Sequence, residues 1–242
     1  MIEIARQSMI EIGAIIAAGE GRRLREAGFA MPKPLVPVAG VPLVEGVVRN
    51  FLAAGVASLT VIMNEDERDC VRWLGARFPA LDIRFVVRTT ASSLESFGLV
   101  LSAAPPGPIV VSTVDAWCRP PDFVRFVEAA RRRPADAVVL AVTPLVADEA
   151  PLWGVLDADR RIRRLGGTDG NVVTAGVYLI PERVRALAPP PGLGRLREFL
   201  AWLVTRGEMV YGETIDRVVD VYRAADVALA ESMARQPLGG NG

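Results

Sequence analysis

The chain has 242 residues, 28 basic and 28 acidic side chains, zero formal net charge and no histidine. Without imidazole there is no Ser-His-Asp or Cys-His nucleophile, no histidine-bearing zinc site and no imidazole proton shuttle, so any catalysis rests on carboxylates, cations, backbone amides and a bound metal. Balanced charge leaves no electrostatic footprint for nucleic acid or an anionic membrane, and small molecules are the expected partners.

The opening Met1-Ile-Glu-Ile4 recurs as Met9-Ile-Glu-Ile12, which suggests an N-terminal tail over residues 1–8, one domain over 9–236 and a flexible tail over 237–242. From residue 12 onward, apolar runs of strand length alternate with amphipathic stretches, the pattern of an α/β sheet with covering helices. Strands are expected at Ile12 to Ala17, Leu59 to Met63, Ile83 to Val87 and Ile109 to Val114. Helices are expected at Leu43 to Ala54, Asp66 to Phe78 and from Ser92 to about Ala103, the last opening on the capping box Ser92-Ser-Leu-Glu95. After a helix at Pro121 to Arg133 the pattern turns to strands: Ala137 to Thr143, Gly154 to Asp157, Arg161 to Leu165 and Val172 to Ile180. A helix from Leu193 to Arg206, a short strand from Arg217 to Val221 and a last helix to about Met233 complete the order. Cys70 and Cys118 are too few and too far apart for a disulfide framework and suit a reducing, cytoplasmic compartment. The apolar runs are too short to span a bilayer, so neither a membrane segment nor a signal segment is expected.

Two features concentrate the chemistry. The turn after the first strand, Ala17-Ala-Gly-Glu-Gly-Arg-Arg-Leu24, carries glycines that let backbone N–H groups approach a ligand, a favourable place for phosphate oxygens. Its spacing is neither the dinucleotide fingerprint, which needs a third glycine where Leu24 stands, nor a P-loop, which needs a lysine directly after the last glycine. Gly-x-Gly alone equally describes a tight strand-to-helix turn. The second feature is Lys33. Of the 28 basic side chains 27 are arginine, and the single lysine lies between two prolines in Pro32-Lys-Pro34. A chain that uses arginine almost everywhere else suggests here a site that demands a compact point charge.

Taken together, Ala17 to Leu24, Pro32-Lys33-Pro34-Leu35 and Gly40-Val-Pro-Leu43 resemble the signature of the sugar-1-phosphate nucleotidyltransferases. Val114-Asp115, Trp153-Gly-Val-Leu156, Ala175-Gly-Val-Tyr178 and Val219-Asp220 follow in the family's order, more loosely. The resemblance implies a single-domain Rossmann-like, three-layer α/β/α sandwich with a mixed, mostly parallel sheet, of the glycosyltransferase-A-like kind. It also implies transfer of a nucleotidyl group from a nucleoside triphosphate to a phosphorylated sugar or sugar-like alcohol, with release of pyrophosphate and dependence on Mg²⁺. Residue by residue, Ala17, Ala18, Gly19, Glu20 and Gly21 would lie against the nucleotide, and Arg23 and Lys33 would grip phosphate. Asp115 and Asp220 would hold the metal through oxygen. An aspartate after an apolar strand is also an ordinary turn or N-cap residue. The missing histidine is compatible with this chemistry, because a phosphate acceptor is already anionic near neutral pH and needs no general base.

The chain departs from the family on the acceptor side. Where many sugar-specific members have a Gly-Thr-Ala segment, it has Arg88-Thr-Thr-Ala-Ser-Ser-Leu-Glu-Ser96, in which Ser92 and Ser93 either meet the nucleotide or simply cap a helix. Where a Glu-Lys-Pro segment often serves the acceptor, it has Gly166-Gly-Thr-Asp-Gly170, with no lysine. This leaves room for a non-hexose phosphate, such as a phosphoalcohol, an inositol phosphate or a cofactor precursor, taken by a cytidylyl- or guanylyltransferase. Trp117, Gly154, Thr174 and Gly176 are the candidate acceptor-side residues, with Trp117 either stacking on a ring or packing in the core. A nucleotide-binding regulatory module that has lost transfer is the reading from a different class. The arginine clusters at 131–133 and 160–164 are read as solvated or helix-end charges rather than nucleic-acid patches.

Overall fold

The computed structural model describes residues 10–147 and 150–236, and the tails expected at 1–8 and 237–242 lie outside them. In chain order the strands are β1 (Ile12–Ala17), β2 (Pro37–Val38), β3 (Val41–Pro42), β4 (Ser58–Met63), β5 (Asp82–Val87), β6 (Ile109–Thr113) and β7 (Ala116–Cys118). They continue as β8 (Val138–Thr143), β9 (Trp153–Leu156), β10 (Ile162–Leu165), β11 (Val172–Ile180), β12 (Val210–Thr214) and β13 (Val218–Asp220). The helices are α1 (Arg22–Glu26), α2 (Leu43–Ala53), α3 (Arg68–Arg77), α4 (Ser93–Ala103), α5 (Pro120–Arg131), α6 (Glu182–Arg185), α7 (Leu196–Thr205) and α8 (Ala224–Arg235).

Nine of the strands form one sheet ordered β10-β9-β11-β6-β1-β4-β5, with β8 and β12 branching from β11. Strands β4 and β6 flank β1 in parallel, β5 extends β4 in parallel, and the long β11 turns the direction by pairing antiparallel with β6, β8 and β9. With β12 parallel to β8 and β10 antiparallel to β9, the sheet is mixed but mostly parallel: only β10 and β11 oppose the rest. Connections between parallel strands need crossovers, and helices supply them on both faces.

The two faces follow from the period-two alternation of the buried strands. On β1, Ile15 and Ala17 point to a core completed by Val44, Val47, Val48 and Phe51 of α2, Phe123 and Phe126 of α5, and Ala230 of α8. Ala14 and Ile16 point the other way, toward Phe97 and Val100 of α4 and Phe199, Leu200 and Leu203 of α7. Phe51 and Phe123 meet edge to face, their centroids 5.1 Å apart, which locks α2 against α5. The result is the three-layer α/β/α sandwich expected from the sequence.

The element order differs from the sequence reading at a few places. Helix α1 starts directly after the glycine turn, and β12 was not anticipated, because Gly212 and Glu213 interrupt its apolar run. Strand β12 is nevertheless buried at Val210 and Gly212, and Glu213 lies inside a guanidinium pair, with Arg133 at 2.6 Å and Arg160 at 3.2 Å. Arg131, Arg133 and Arg160 of the two arginine clusters therefore work as internal ties, while Arg132, Arg163 and Arg164 are exposed as read from the sequence. Arg131 donates to the carbonyls of Ile10 and Ala54, the latter at the end of α2. Arg185 of α6 donates to four carbonyls at the end of α4, those of Leu101, Ala104, Pro105 and Gly107, at 2.6 to 3.0 Å. Leu101 and Ala104 carry acceptors that a helix C-terminus leaves unpaired, and Pro105 and Gly107 lie in the segment just after it. Replacing Arg185 by methionine keeps the aliphatic stem but removes every donor, and is expected to lower stability by about 2–4 kcal/mol. A denaturant titration with an unchanged midpoint would show that the clamp is ornamental.

Candidate active site

The carboxyl ends of β1 and β6 meet at the centre of the sheet, and the chain departs from both in tight turns. After β1 the backbone crosses Ala18, Gly19 and Glu20 to Gly21, which has φ +62° and starts α1 as its N-cap. Only glycine suits this point for two reasons. The conformation is left-handed, and a Cβ on Gly21 would lie 2.6 Å from Cβ of Lys33. The glycine turn and the Pro-Lys-Pro loop thus pack directly on each other.

Lys33 itself is buried, at 7 % exposure, with its Nζ donating to Oδ2 of Asp115 at 2.6 Å. The ammonium also lies over the ring of Tyr222, 4.2 Å from its centroid. Asp115 follows β6 and is equally buried, and its Oδ1 has no hydrogen-bond partner. Burial by itself would push the Asp115 carboxyl up, but the charge and hydrogen bond of Lys33, with Thr113 beside it, hold it below the usual carboxylate range. Asp115 is therefore an anion at neutral pH, with one oxygen committed to Lys33.

Asp220 is brought to the same place by backbone pairing. In the ribbon formed by β13 and β7, Asp220 stands opposite Ala116, and the next residue, Val221, donates its N–H to the Asp115 carbonyl at 2.9 Å. Strand β11 makes room by shifting register between Thr174 and Tyr178. At Gly176, φ +66°, a Cβ would lie 2.7 Å from the Thr113 hydroxyl and 3.3 Å from Oδ1 of Asp220. The bulge is what admits the Asp220 carboxylate to the strand ends.

Two cavities meet here. The larger, about 710 Å³, is lined by Ala18 to Arg23, Lys33, Thr90 to Ser93, Ser96 and Asp115. The smaller, about 180 Å³, is lined by Thr143, Leu152, Thr174, Gly176, Tyr178, Arg195, Arg197 and Asp220. Ser93, Thr113 and Tyr222 line both, so the two are continuous past the Lys33–Asp115 pair.

Most of the residues singled out in the sequence converge on this junction. Ala18, Gly19, Glu20, Gly21, Arg23, Lys33, Ser92, Ser93 and Asp115 line the larger cavity, while Thr174, Gly176 and Asp220 line the smaller. Ala17 is buried in β1 behind the turn. Ser92 does cap α4, accepting from the Glu95 N–H at 3.1 Å, and Ser93 accepts from the Leu196 N–H at the start of α7, so both serines have structural work besides facing the cavity. Trp117 and Gly154 line neither cavity. Trp117 packs, half-buried, against the core on the α2 side, and Gly154 is a buried residue of β9 whose carbonyl accepts from Asn171. Tyr222, Thr113, Arg195 and Arg197 were not anticipated. Tyr222 alone had a signal, since it stands two positions after Asp220, where an extended chain presents the same side.

Other candidate chemistries are closed. Burial pushes both cysteine thiols up to about 12, so neither Cys70 nor Cys118 is a thiolate nucleophile at neutral pH. Burial likewise raises Tyr178, whose phenol stays protonated.

A glycine turn at the carboxyl edge of a mostly parallel sheet, facing a buried ammonium and two aspartates, defines a Rossmann-like domain built to hold an anionic ligand at its strand ends. The model of the family described as "MobA-like NTP transferase domain" matches residues 13–188, and the chain belongs to that family. Among curated relatives, it is 31% identical over 246 residues to a bifunctional IPC transferase and DIPP synthase of Rubrobacter xylanophilus, covering 91% of this chain and 51% of the relative. It is 26% identical over 185 residues to a mannose-1-phosphate guanyltransferase of Yarrowia lipolytica, covering 71% of this chain and 50% of the relative. The chain thus spans about half the length of these two relatives. Among solved structures, the inositol-1-phosphate CTP transferase from T. maritima superposes with a TM-score of 0.80 at 19% identity, covering 95% of this chain and 98% of that one, a likeness of fold.

Behind the junction lies a further buried carboxylate. Glu67, 6 % exposed, precedes α3, and its Oε2 has no hydrogen-bond partner. Burial pushes its carboxyl up from an ordinary 4.5 to about 7, against the pull of Arg25 and Lys33 and with a small added push from Asp66. The folded chain therefore holds this proton more tightly than the unfolded chain. The contribution favouring the fold is complete below about pH 4.5 and fades as the pH rises toward 7. Glu67→Gln fixes the neutral form, so its stability relative to wild type should rise between pH 5 and pH 8. Denaturant midpoints separated by the same gap at both pH values would refute the assignment.

Proposed function

We propose that the chain transfers a nucleotidyl group from a nucleoside triphosphate to a small phosphorylated acceptor and releases pyrophosphate. The observation that carries this reading is the Lys33–Asp115 pair standing where two cavities of unequal size join. The larger cavity, walled by the glycine turn, has the room a nucleoside triphosphate needs, and the smaller suits an acceptor the size of a sugar phosphate. Membership of the NTP transferase family supports the assignment.

In this reading the triphosphate lies along the N–H groups of the Ala18 to Gly21 turn, with Arg23 at its exposed side and the α-phosphate beside Lys33. An oxygen of the acceptor phosphate attacks the α-phosphorus in line, a new P–O bond forms, and the bond to the β-phosphate oxygen breaks as pyrophosphate leaves. Lys33 offsets charge at the reacting phosphorus, and the protein's main work is alignment and charge stabilisation. The donor set fits Mg²⁺. Asp115 and Asp220 are hard oxygen ligands, the Asp115 Oδ1 is buried without a hydrogen bond, and among the described residues no third carboxylate, histidine or cysteine joins a cluster. Two carboxylates with phosphate oxygens and water are what this cation ordinarily takes. When bound, it would neutralise charge on the phosphates.

On the acceptor side the cations are Arg195 and Arg197 from the start of α7, and the Gly166–Gly170 loop lines neither cavity. With no lysine in that loop, we favour a non-hexose phosphate taken with a cytidylyl or guanylyl donor. The relatives named for inositol-1-phosphate and mannose-1-phosphate bracket the range. We place the working unit at residues 9–236 and, with both cysteines free and buried, in a reducing compartment such as the cytoplasm. Among the described residues no helix is long and apolar enough to cross a membrane.

The assay is pyrophosphate release across CTP, UTP, dTTP, GTP and ATP, each offered with a panel of sugar, cyclitol and alcohol phosphates. At least one pair should turn over, stop on chelation with EDTA and recover with Mg²⁺. Nucleotide binding with no release for any pair would favour a regulatory module. Lys33→Ala removes the partner of a buried carboxylate, which is expected to cost roughly 3–5 kcal/mol of stability as well as activity. Lys33→Arg is the cleaner variant, since it keeps the charge while replacing a compact ammonium by a planar fork. It should fold and lose turnover by roughly 100-fold, whereas wild-type turnover in Lys33→Ala would sink the role assigned to this residue.

A further inference from the structure

Lys33 has a flexible four-carbon stem, and a charge on such a stem aids a reaction only if it is held where charge develops. Asp115 holds it from one side. The second contact is the face of Tyr222, and the surrounding structure fixes that ring with care. Before it, the Val221 N–H is bound to the Asp115 carbonyl at 2.9 Å. After it, the buried Asp226 carboxylate accepts the N–H groups of Tyr222 at 2.9 Å and Arg223 at 2.8 Å while capping α8. The tyrosine backbone is thus pinned on both sides, and its ring lines both cavities at their junction.

We propose that Tyr222 is a positioning residue that acts through Lys33: its ring face, 4.2 Å from the ammonium, holds the group that Asp115 binds at 2.6 Å at the junction of the two cavities. An aromatic face attracts the cation without neutralising it. Asp115, in contrast, offers a full counter-charge, and its free oxygen belongs to the proposed metal. The ring also stands on the acceptor's path to the α-phosphate, so its removal would loosen the ammonium and admit water together. The inference rests on the nucleotidyl-transfer reading of the preceding subsection.

Because Lys33 is the chain's single lysine, protein labelled with ¹³C-lysine gives one Cε–Hε cross-peak, which reports the ring directly without any turnover. In wild type this peak should be shifted upfield by the ring current. Tyr222→Phe, which keeps the face, should retain the shift and turnover within about twofold. Tyr222→Leu should lose the shift and lower kcat roughly 10-fold, with KM for the nucleotide moving less than about threefold, since the ring acts on the reacting centre rather than on the triphosphate. A Tyr222→Leu protein that melts early is set aside in favour of the Phe variant and the wild-type peak, which decide the contact between them. An unshifted wild-type peak, or wild-type kcat in a folded Tyr222→Leu protein, overturns the inference. If wild type releases no pyrophosphate with any pair, the nucleotidyl-transfer reading fails instead. The contact between ring and ammonium is then supported by a shifted peak and refuted by an unshifted one.

Discussion

An ammonium and a carboxylate withdrawn from water together are stable only when their geometry is close and their remaining valences are met. The Lys33–Asp115 pair, 2.6 Å long and nearly inaccessible, imposes that condition on everything around it. Gly21 must lack a side chain so that the turn can close over Lys33, and the Asp115 backbone carbonyl must be tied by Trp117 and Val221 so that the carboxylate faces inward. The Tyr222 ring must cover the side of the ammonium that Asp115 does not reach. Replacing the pair by apolar residues of equal size would often do no harm to a fold. Its retention at the strand ends, with one carboxylate oxygen left open, points to use rather than stability.

The sheet provides the rigidity that the pair needs. Parallel strands β1, β4 and β6 bring three chain segments to one edge, where the loops leaving them carry chemistry on a rigid frame. The antiparallel β11 brings the fourth component. Its register shift at Thr174 to Tyr178 opens the space occupied by the Asp220 carboxylate and makes the wall of the smaller cavity. One bulge thus joins the smaller cavity to the proposed metal ligands.

The wall of the larger cavity was legible in the sequence because it is local. The turn from Ala17 to Leu24 and the lysine at 33 lie within one strand-turn-loop unit, and each carries its own signal: glycine spacing in one case, a departure from arginine in the other. The smaller cavity was legible only at Thr174, Gly176 and Asp220, because it is assembled from β8, β11, the start of α7 and the segment after β13, which are separated by long stretches of chain. No spacing rule joins Thr143 to Arg197. Trp117 shows the reverse failure: it was read as an acceptor-side residue, but in β7 it packs, partly buried, against the hydrophobic core and lines neither cavity. Strand β12 escaped for a related reason, since the charge that breaks its pattern, Glu213, is neutralised by arginines 80 and 53 residues before it.

The imbalance between arginine and lysine has a physical reason that the structure supplies. Several buried acceptors at helix ends and strand edges need donors spread over one plane: Arg185 reaches four carbonyls through Nη1 and Nη2, and Arg160 reaches the Gly212 carbonyl through Nε and the Thr214 hydroxyl through Nη2. Lysine could not replace these two, because the single nitrogen of an ammonium cannot stand at both places a guanidinium's separate nitrogens occupy. At position 33 the demand is the opposite: a confined space between Gly21, Asp115 and Tyr222, in which a planar fork would crowd the ring and draw both carboxylate oxygens into a bidentate pair. That second outcome would close Asp115 Oδ1, the oxygen of this carboxylate that Lys33 leaves open. The lysine is therefore selected by the carboxylate beside it as much as by any phosphate in front of it.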